Sequence, residues 1–182
     1  MTRPKLAVTL LFGLMLSACV TTSDQPQRAK DPNAARDAYI QLGLGYLQEG
    51  ETESAKAPLS EALKIDPRSP SANIALAMVF QREGEYDSAD KHFRAAQAAD
   101  PSNPRILNNY GVFLLNRERY PEALSAFQKA AEDNLYGERS RVFENLGLTY
   151  ARMGNPEEAK SSFERALRLN SRQPLALLEM AK

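Results

Sequence analysis

Residues 104–137, PRILNNYGVFLLNRERYPEALSAFQKAAEDNLYG, decide the fold of this chain. Two amphipathic stretches lie on either side of Arg119, one around Gly111 and one around Ala123. Apolar residues that recur every three or four positions indicate α-helices that bury one face. The same arrangement recurs along the chain. Small residues mark it: Gly43, Ala77, Gly111, Gly147 and Ala181 in the first stretches, and Ala55, Ala89, Ala123 and Ala159 in the second.

Both series of small residues share one period. Successive members of the first lie 34, 34, 36 and 34 positions apart, and those of the second lie 34, 34 and 36 apart. Large residues follow the second series by four positions: Leu59, Phe93, Phe127 and Phe163. A fixed period of this length is typical of stacked repeats, in which each unit buries its apolar face against its neighbours. We therefore predict an all-α chain of antiparallel helix pairs.

The pattern resembles the tetratricopeptide repeat, which implies a superhelix of helix pairs. The units run over about 36–69, 70–103, 104–137 and 140–173, and a fifth starts at 174–182, so the repeat domain spans 32–182. Pro70, Pro104 and Pro174 are expected to open first helices, because proline suits the first helical position. Asn155 and Pro156 should cap and open a second helix.

The amino-terminal residues have a different composition. Arg3 and Lys5 precede an apolar run from Leu6 to Leu16, and small residues follow it. This layout is typical of a signal peptide, which we assign to residues 1–18, and the run is too short to span a bilayer. Residues 19–31 are polar and are expected to form a flexible tether.

Cys19 is the only cysteine, and it directly follows Leu16-Ser17-Ala18. This arrangement resembles the lipobox of bacterial lipoproteins, which implies cleavage before Cys19 and attachment of lipid to its thiol. The alternative is an unpaired thiol with a structural or reactive role. Val20 stands where lipoproteins of the inner membrane commonly have Asp. The resemblance therefore implies a lipid-anchored protein on the periplasmic face of the bacterial outer membrane, delivered by the lipoprotein-sorting machinery.

Composition and motifs argue against several classes of function. Lys and Arg total 23 and Asp and Glu total 23, so nothing favours a nucleic-acid partner. The sequence has no phosphate-binding glycine loop, no serine elbow and no spacing of metal ligands. The only histidine, His92, is expected to be structural. We predict no enzyme activity, no metal, no cofactor and no small-molecule substrate.

Protein binding is the function that repeats of this kind favour. The resemblance implies that first helices line the concave side of the superhelix, with inward positions at fixed places in each unit. The predicted groove residues are Ile40, Leu44, Leu47, Ile74, Met78, Arg105, Asn108 and Val112. Two alternatives stay open: the apolar members could pack between adjacent first helices, and the polar ones could line a solvated wall.

Four runs resemble a narrower family, the type IV pilus biogenesis lipoproteins of the PilF/PilW kind, called pilotins. The runs are ARDAYIQLGLGYL at 35–47, LNNYGVFL at 107–114, RSRVFENLGL at 139–148 and LRLNSRQP at 167–174. The resemblance implies a lipoprotein that binds the secretin subunit of the type IV pilus and promotes its multimerisation at the outer membrane. The alternative is a lipoprotein adaptor that gathers cell-wall hydrolases or synthases, and an enzyme with an unrecognised site is the third hypothesis.

Overall fold

The computed structural model describes residues 31–181, and every regular element in that range is an α-helix. The helices are α1 (Pro32–Glu49), α2 (Thr52–Ile65), α3 (Pro70–Arg82), α4 (Tyr86–Ala99), α5 (Pro104–Asn116), α6 (Tyr120–Ala131), α7 (Arg139–Arg152), α8 (Pro156–Leu169) and α9 (Pro174–Met180). Odd-numbered helices pair with the even-numbered helices that follow them. The predicted all-α fold of helix pairs is confirmed.

Side-chain caps fix the starts of several first helices. The carboxylate of Asp31 accepts a hydrogen bond from Asn33 N at 2.9 Å. Ser69 and Asn103 cap α3 and α5 in the same way. Pro156 opens α8 as predicted and Asn155 stands at the N-cap position, but the Asn155 side chain does not make the capping hydrogen bond that was expected. With φ −107° and ψ 77°, its backbone is not in the extended conformation that directs a capping side chain at the helix.

Small residues allow the two helices of a pair to approach closely. A Cβ added to Gly111 in α5 would lie 2.6 Å from Phe127 in α6. A Cβ on Gly147 in α7 would likewise lie 2.6 Å from Phe163 in α8. The first series of small residues and the large residues that follow the second series are therefore two sides of one contact, since the aromatic ring fills the space that glycine leaves.

Successive pairs stack through one position of each first helix. Leu76 and Tyr110 pack against the preceding pair, Leu76 beside Leu59 and Tyr110 stacked on Phe93 with ring centroids 5.4 Å apart. Leu146 occupies the same position in α7 and is also buried. Burial of these side chains supplies most of the favourable free energy that holds one pair to the next.

The third and fourth units are joined differently from the others. Residues 132–138 hold the two extra residues, and Leu135 there is 94% exposed. A cluster of buried residues nevertheless continues across this junction, from Ile74 to Ala176. Within residues 31–181, no helix is both long enough and apolar enough to cross a lipid bilayer.

Candidate protein-binding surfaces

Part of the predicted groove belongs to the core. Ile40 packs with Ala62 and Ala72, and Leu47 lies in a cluster with Leu59 and Val79. Ile74 is also buried. These three side chains expose little surface, so the structure gives them a role in joining α1 and α3 to their neighbours.

Other members of the predicted groove remain partly exposed. Leu44, Met78 and Val112 are half-buried at equivalent positions of α1, α3 and α5, and Leu148 continues the series in α7. Leu44 and Met78 pack against one core cluster, and Met78, Val112 and Leu148 pack against the next. The structure therefore brings these side chains into a continuous row along the first helices, which we call the inner row.

The two polar residues of the predicted groove, Asn108 and Arg105, differ in their exposure to solvent. Asn108 is buried, and its Oδ1 accepts a hydrogen bond from Asn145 Nδ2 at 3.0 Å. Arg105 is exposed at the start of α5. Arg105 and Arg141 both lie close enough to Tyr136 to lower the pKa of its phenol, against the larger effect of burial, which raises that pKa. Two cations therefore lie near Tyr136, at the starts of α5 and α7, whereas Asn108 holds α5 to α7.

A second apolar surface was not predicted from the sequence. It consists of Tyr39, Leu42 and Ile65, all exposed, and we call it the terminal patch. Leu42 is 50% exposed, although it holds the repeat position at which Leu76 and Leu146 are only 4% and 5% exposed. No other helix in residues 31–181 packs on this side of α1. The signal in the sequence was the repeat position: Leu42 is the stacking leucine of the first unit, and no helix pair precedes that unit among the described residues.

The chemistry of the described residues does not resemble an active site. His92 stacks on Phe80 with centroids 5.4 Å apart, and its Nδ1 lies 2.9 Å from Asn73 Oδ1. Burial, helped by the nearby charge of Lys91, lowers the pKa of this imidazole. Within residues 31–181 there is no group of three or more His, Cys, Asp or Glu residues that could hold a metal ion. Cys19 and the predicted signal peptide lie outside the described residues.

Comparison with known proteins agrees with this architecture. Tetratricopeptide-repeat models match residues 37–69, 73–105 and 102–172. The type IV pilus assembly protein PilF of Pseudomonas aeruginosa is 53% identical over 177 residues, which are 96% of this chain and 70% of the relative. This chain belongs to the PilF/PilW family of type IV pilus assembly proteins. The predicted resemblance is confirmed.

Solved structures of the PilF/PilW family share the fold. A Pseudomonas aeruginosa PilF structure is 57% identical, with a TM-score of 0.82 over 84% of this chain and 68% of that one. A PilW structure, described as a widely conserved type IV pilus biogenesis factor, is 30% identical, with a TM-score of 0.74 over 78% of this chain and 64% of that one. Membership of the PilF/PilW family makes the chain a non-enzymatic scaffold of pilus assembly. Its inner row and terminal patch are therefore candidate surfaces for protein partners.

Proposed function

We propose that this chain is a pilotin. In this proposal Cys19 carries the lipid that anchors the protein to the periplasmic face of the outer membrane, after delivery by the lipoprotein-sorting machinery. The repeat domain binds the secretin subunit of the type IV pilus, promotes its localisation to the outer membrane and aids its multimerisation there. Family membership over 96% of the chain supports a role in pilus assembly, and the exposed apolar surfaces support a protein partner.

The terminal patch is the observation that carries the binding proposal. Tyr39, Leu42 and Ile65 expose apolar surface at the position where later units stack. Covering a large apolar side chain stabilises a complex by about 1.5–3 kcal/mol. An amphipathic helix of the secretin subunit could therefore dock on α1 as a preceding helix pair would, with its apolar side chains against Leu42.

The inner row supplies a second part of the proposed contact. Leu44 lies two residues beyond Leu42 and therefore on a different face of α1, and Met78 and Val112 continue the row across α3 and α5, where Arg105 is exposed at the start of the helix. These four residues are the accessible members of the predicted groove. The other four members have buried side chains and can contribute only by holding the first helices in place: Ile40, Leu47, Ile74 and Asn108.

Replacing Leu42 with Asp tests the binding surface. A carboxylate at this exposed position should leave the helical circular dichroism spectrum intact and prevent apolar docking. We expect co-purification of the secretin subunit and formation of secretin multimers to be lost. Leu169→Asp is a matched control, because Leu169 is also 50% exposed but lies at the end of α8. Normal multimers with Leu42→Asp would exclude the terminal patch, and recovery of cell-wall hydrolases in place of secretin would favour the adaptor alternative.

Replacing Cys19 with Ser tests the anchor separately. A hydroxyl cannot form the thioether that holds the diacylglycerol, so the protein should leave the outer-membrane fraction. We expect the secretin subunit to lose its outer-membrane localisation while its binding to the repeat domain persists in solution. An unchanged outer-membrane fraction with Cys19→Ser would refute the lipid anchor without affecting the binding proposal.

A further inference from the structure

The junction between the third and fourth units opens a cleft on the side opposite the first-helix surface. Its walls are α6 and α8, and its floor is the outward face of α7. The cleft has a volume of about 640 Å³, whereas the corresponding clefts of the two preceding junctions measure about 250 and 400 Å³. This volume is in the range of about 300–1,000 Å³ that is typical of ligand sites. We call it the outer cleft.

Two guanidinium groups flank one aromatic ring on the floor of the outer cleft. The Cζ atoms of Arg165 and Arg139 lie 4.3 Å and 5.3 Å from the centroid of the Phe143 ring. Arg139 is also held by a hydrogen bond from Nε to Ala131 O at 2.8 Å. The contact with the Phe143 ring restricts both arginine side chains in the unbound protein, and the backbone hydrogen bond restricts Arg139 further.

The donors of these arginines remain available. The same cleft is lined by three carboxylates, those of Glu132, Glu157 and Glu158. None of them forms an ion pair within 4.0 Å of the Arg139 or Arg165 guanidinium in the described part of the chain. The preceding clefts differ, since Arg94 pairs with Asp90 at 2.7 Å and Lys56 pairs with Glu83 at 2.8 Å. The terminal amino groups of Arg139 and Arg165 can therefore bind an anionic group of a ligand in place of solvent.

Two of the three carboxylates of the outer cleft lie at the end away from its arginines, and the third, Glu132, follows Ala131, which binds Arg139. Arg139 and Arg165 lie beside Phe143, near the start of α7, and Glu157 and Glu158 lie in the first turn of α8, next to the end of α7. Tyr150 stands at this second end, where its hydroxyl accepts a hydrogen bond from Gln128 Nε2 at 3.2 Å. A ligand that is anionic throughout, such as a lipid headgroup or a nucleic acid, would meet repulsion at the glutamates. A polypeptide segment with one acidic and one basic side chain satisfies both ends.

We propose that the outer cleft binds an extended segment of a protein partner, with an acidic side chain on Arg139 and Arg165 and a basic side chain on Glu157 and Glu158. An apolar side chain between them packs over Phe143 and Leu146, which line the floor of the cleft. The site lies apart from the terminal patch and the inner row, so it goes beyond the proposed secretin contact. It gives the protein a second docking surface with different chemistry.

Blocked hexapeptides test the site directly. The probe is a set of acetylated and amidated peptides in which one Asp and one Lys occupy every pair of positions around leucine or phenylalanine. We expect at least one spacing to bind the purified protein with saturation in fluorescence anisotropy. Replacing its Asp by Asn should weaken binding about tenfold or more, because charge-assisted hydrogen bonds to arginine are lost.

Charge reversal within the cleft supplies the matched variants. Arg165→Glu and Glu158→Lys should each weaken the best peptide about tenfold, because each replaces an attraction by a repulsion. Arg168→Glu changes the same charge three residues further along α8, outside the cleft, and should leave binding unchanged. Thermal unfolding of each variant shows whether the fold is intact, and Arg165→Gln replaces Arg165→Glu if it is not.

Three results would overturn the proposal. They are equal binding by Arg165→Glu and Arg168→Glu, equal binding of the Asp and Asn peptides, and absence of saturable binding across the whole set. Binding of phosphatidylglycerol vesicles that depends on Arg165 and excludes the peptides would assign the cleft to a membrane surface and would also refute it. Secretin binding by Arg165→Glu should stay normal, so failure here is distinct from failure of the pilotin proposal.

Discussion

Phe127 occupies the space that a side chain on Gly111 would need. The Cε1, Cδ1 and Cζ atoms of the Phe127 ring lie 2.6, 2.8 and 2.9 Å from an ideal Cβ on Gly111. The ring itself is fully buried between α5 and α6. The distance between these two helices is therefore set by one glycine and one phenylalanine, sixteen residues apart in every complete unit that carries this pair.

Gly111→Ala should destabilise the protein. A methyl group at this position forces the buried Phe127 ring to move, and overpacking of a core costs about 1–3 kcal/mol. The better helix propensity of alanine offsets up to about 1 kcal/mol of this cost. We expect urea denaturation to show a free energy of unfolding lower by about 1–2 kcal/mol.

Gly45→Ala is the control for this substitution. Gly45 lies inside α1, and nothing approaches an added Cβ within 4 Å. The same chemical change should therefore stabilise the protein by up to about 1 kcal/mol. Equal effects of the two substitutions would show that the contact with Phe127 does not set the helix spacing.

The fold was predictable because its main contacts are local and repeated. The contact between Gly111 and Phe127 recurs between Gly147 and Phe163, so the same packing requirement appears more than once in the sequence. A single unit would not have been decisive. The helix start at Asn155 and Pro156 was predicted correctly, but the capping bond of the Asn155 side chain was not, because capping depends on backbone dihedral angles, which residue type alone does not determine.

The binding surfaces were only partly predictable. The repeat pattern placed Ile40 and Leu44 on the same side of α1, but it could not show that Ile40 is buried against Ala72 in α3 while Leu44 stays half-exposed. That difference depends on how closely adjacent first helices approach. Arg139 and Phe143 lie one turn apart on α7, but the sequence did not show that Arg165 of α8 packs on the same ring, and the outer cleft was therefore missed.

Asp90→Asn should weaken the stack at neutral pH. The carboxylate of Asp90 accepts hydrogen bonds from Tyr110 Oη at 2.8 Å and from Arg119 Nη1 and Arg94 Nε, each at 2.7 Å. It thereby joins α4 to α5 and to the start of α6. Loss of the charge should lower the free energy of unfolding by about 1–2 kcal/mol. Asp87→Asn in the exposed first turn of α4 is the control, with an expected effect below about 0.5 kcal/mol.

The effect of Asp90→Asn should depend on pH. Burial alone would raise the pKa of Asp90, but the hydrogen bonds from Arg119, Tyr110 and Arg94 outweigh it and lower that pKa in the folded protein. The stabilisation is therefore fully present above the unfolded value of about 3.9 and is lost as the pH falls through the lower folded value. Denaturation curves recorded downward from pH 7 should show a constant difference at first, which begins to shrink below about pH 4. A difference that stays constant below this pH would rule out the charge as its cause.

Glu144→Ala should loosen α9. The buried carboxylate of Glu144 accepts hydrogen bonds from Gln173 Nε2 at 2.8 Å and from Ala176 N at 2.9 Å, and so holds α9 to α7. Without it these buried donors lack partners, at a cost of about 1–3 kcal/mol. Hydrogen exchange at the Ala176 amide should become about tenfold faster or more. Glu164→Ala, on the partly exposed face of α8, should leave this amide unchanged.

Leu42 and Leu76 hold the same repeat position but should respond oppositely to truncation. Leu76 is 4% exposed and packs beside Leu59 and Val79, so Leu76→Ala leaves a cavity and should lower the free energy of unfolding by about 2–5 kcal/mol. Leu42 is 50% exposed, so Leu42→Ala should cost less than about 1 kcal/mol. Urea denaturation of the two variants measures this difference. A large loss with Leu42→Ala would mean that the terminal patch is covered within the protein itself, and a secretin contact there would lose its physical basis.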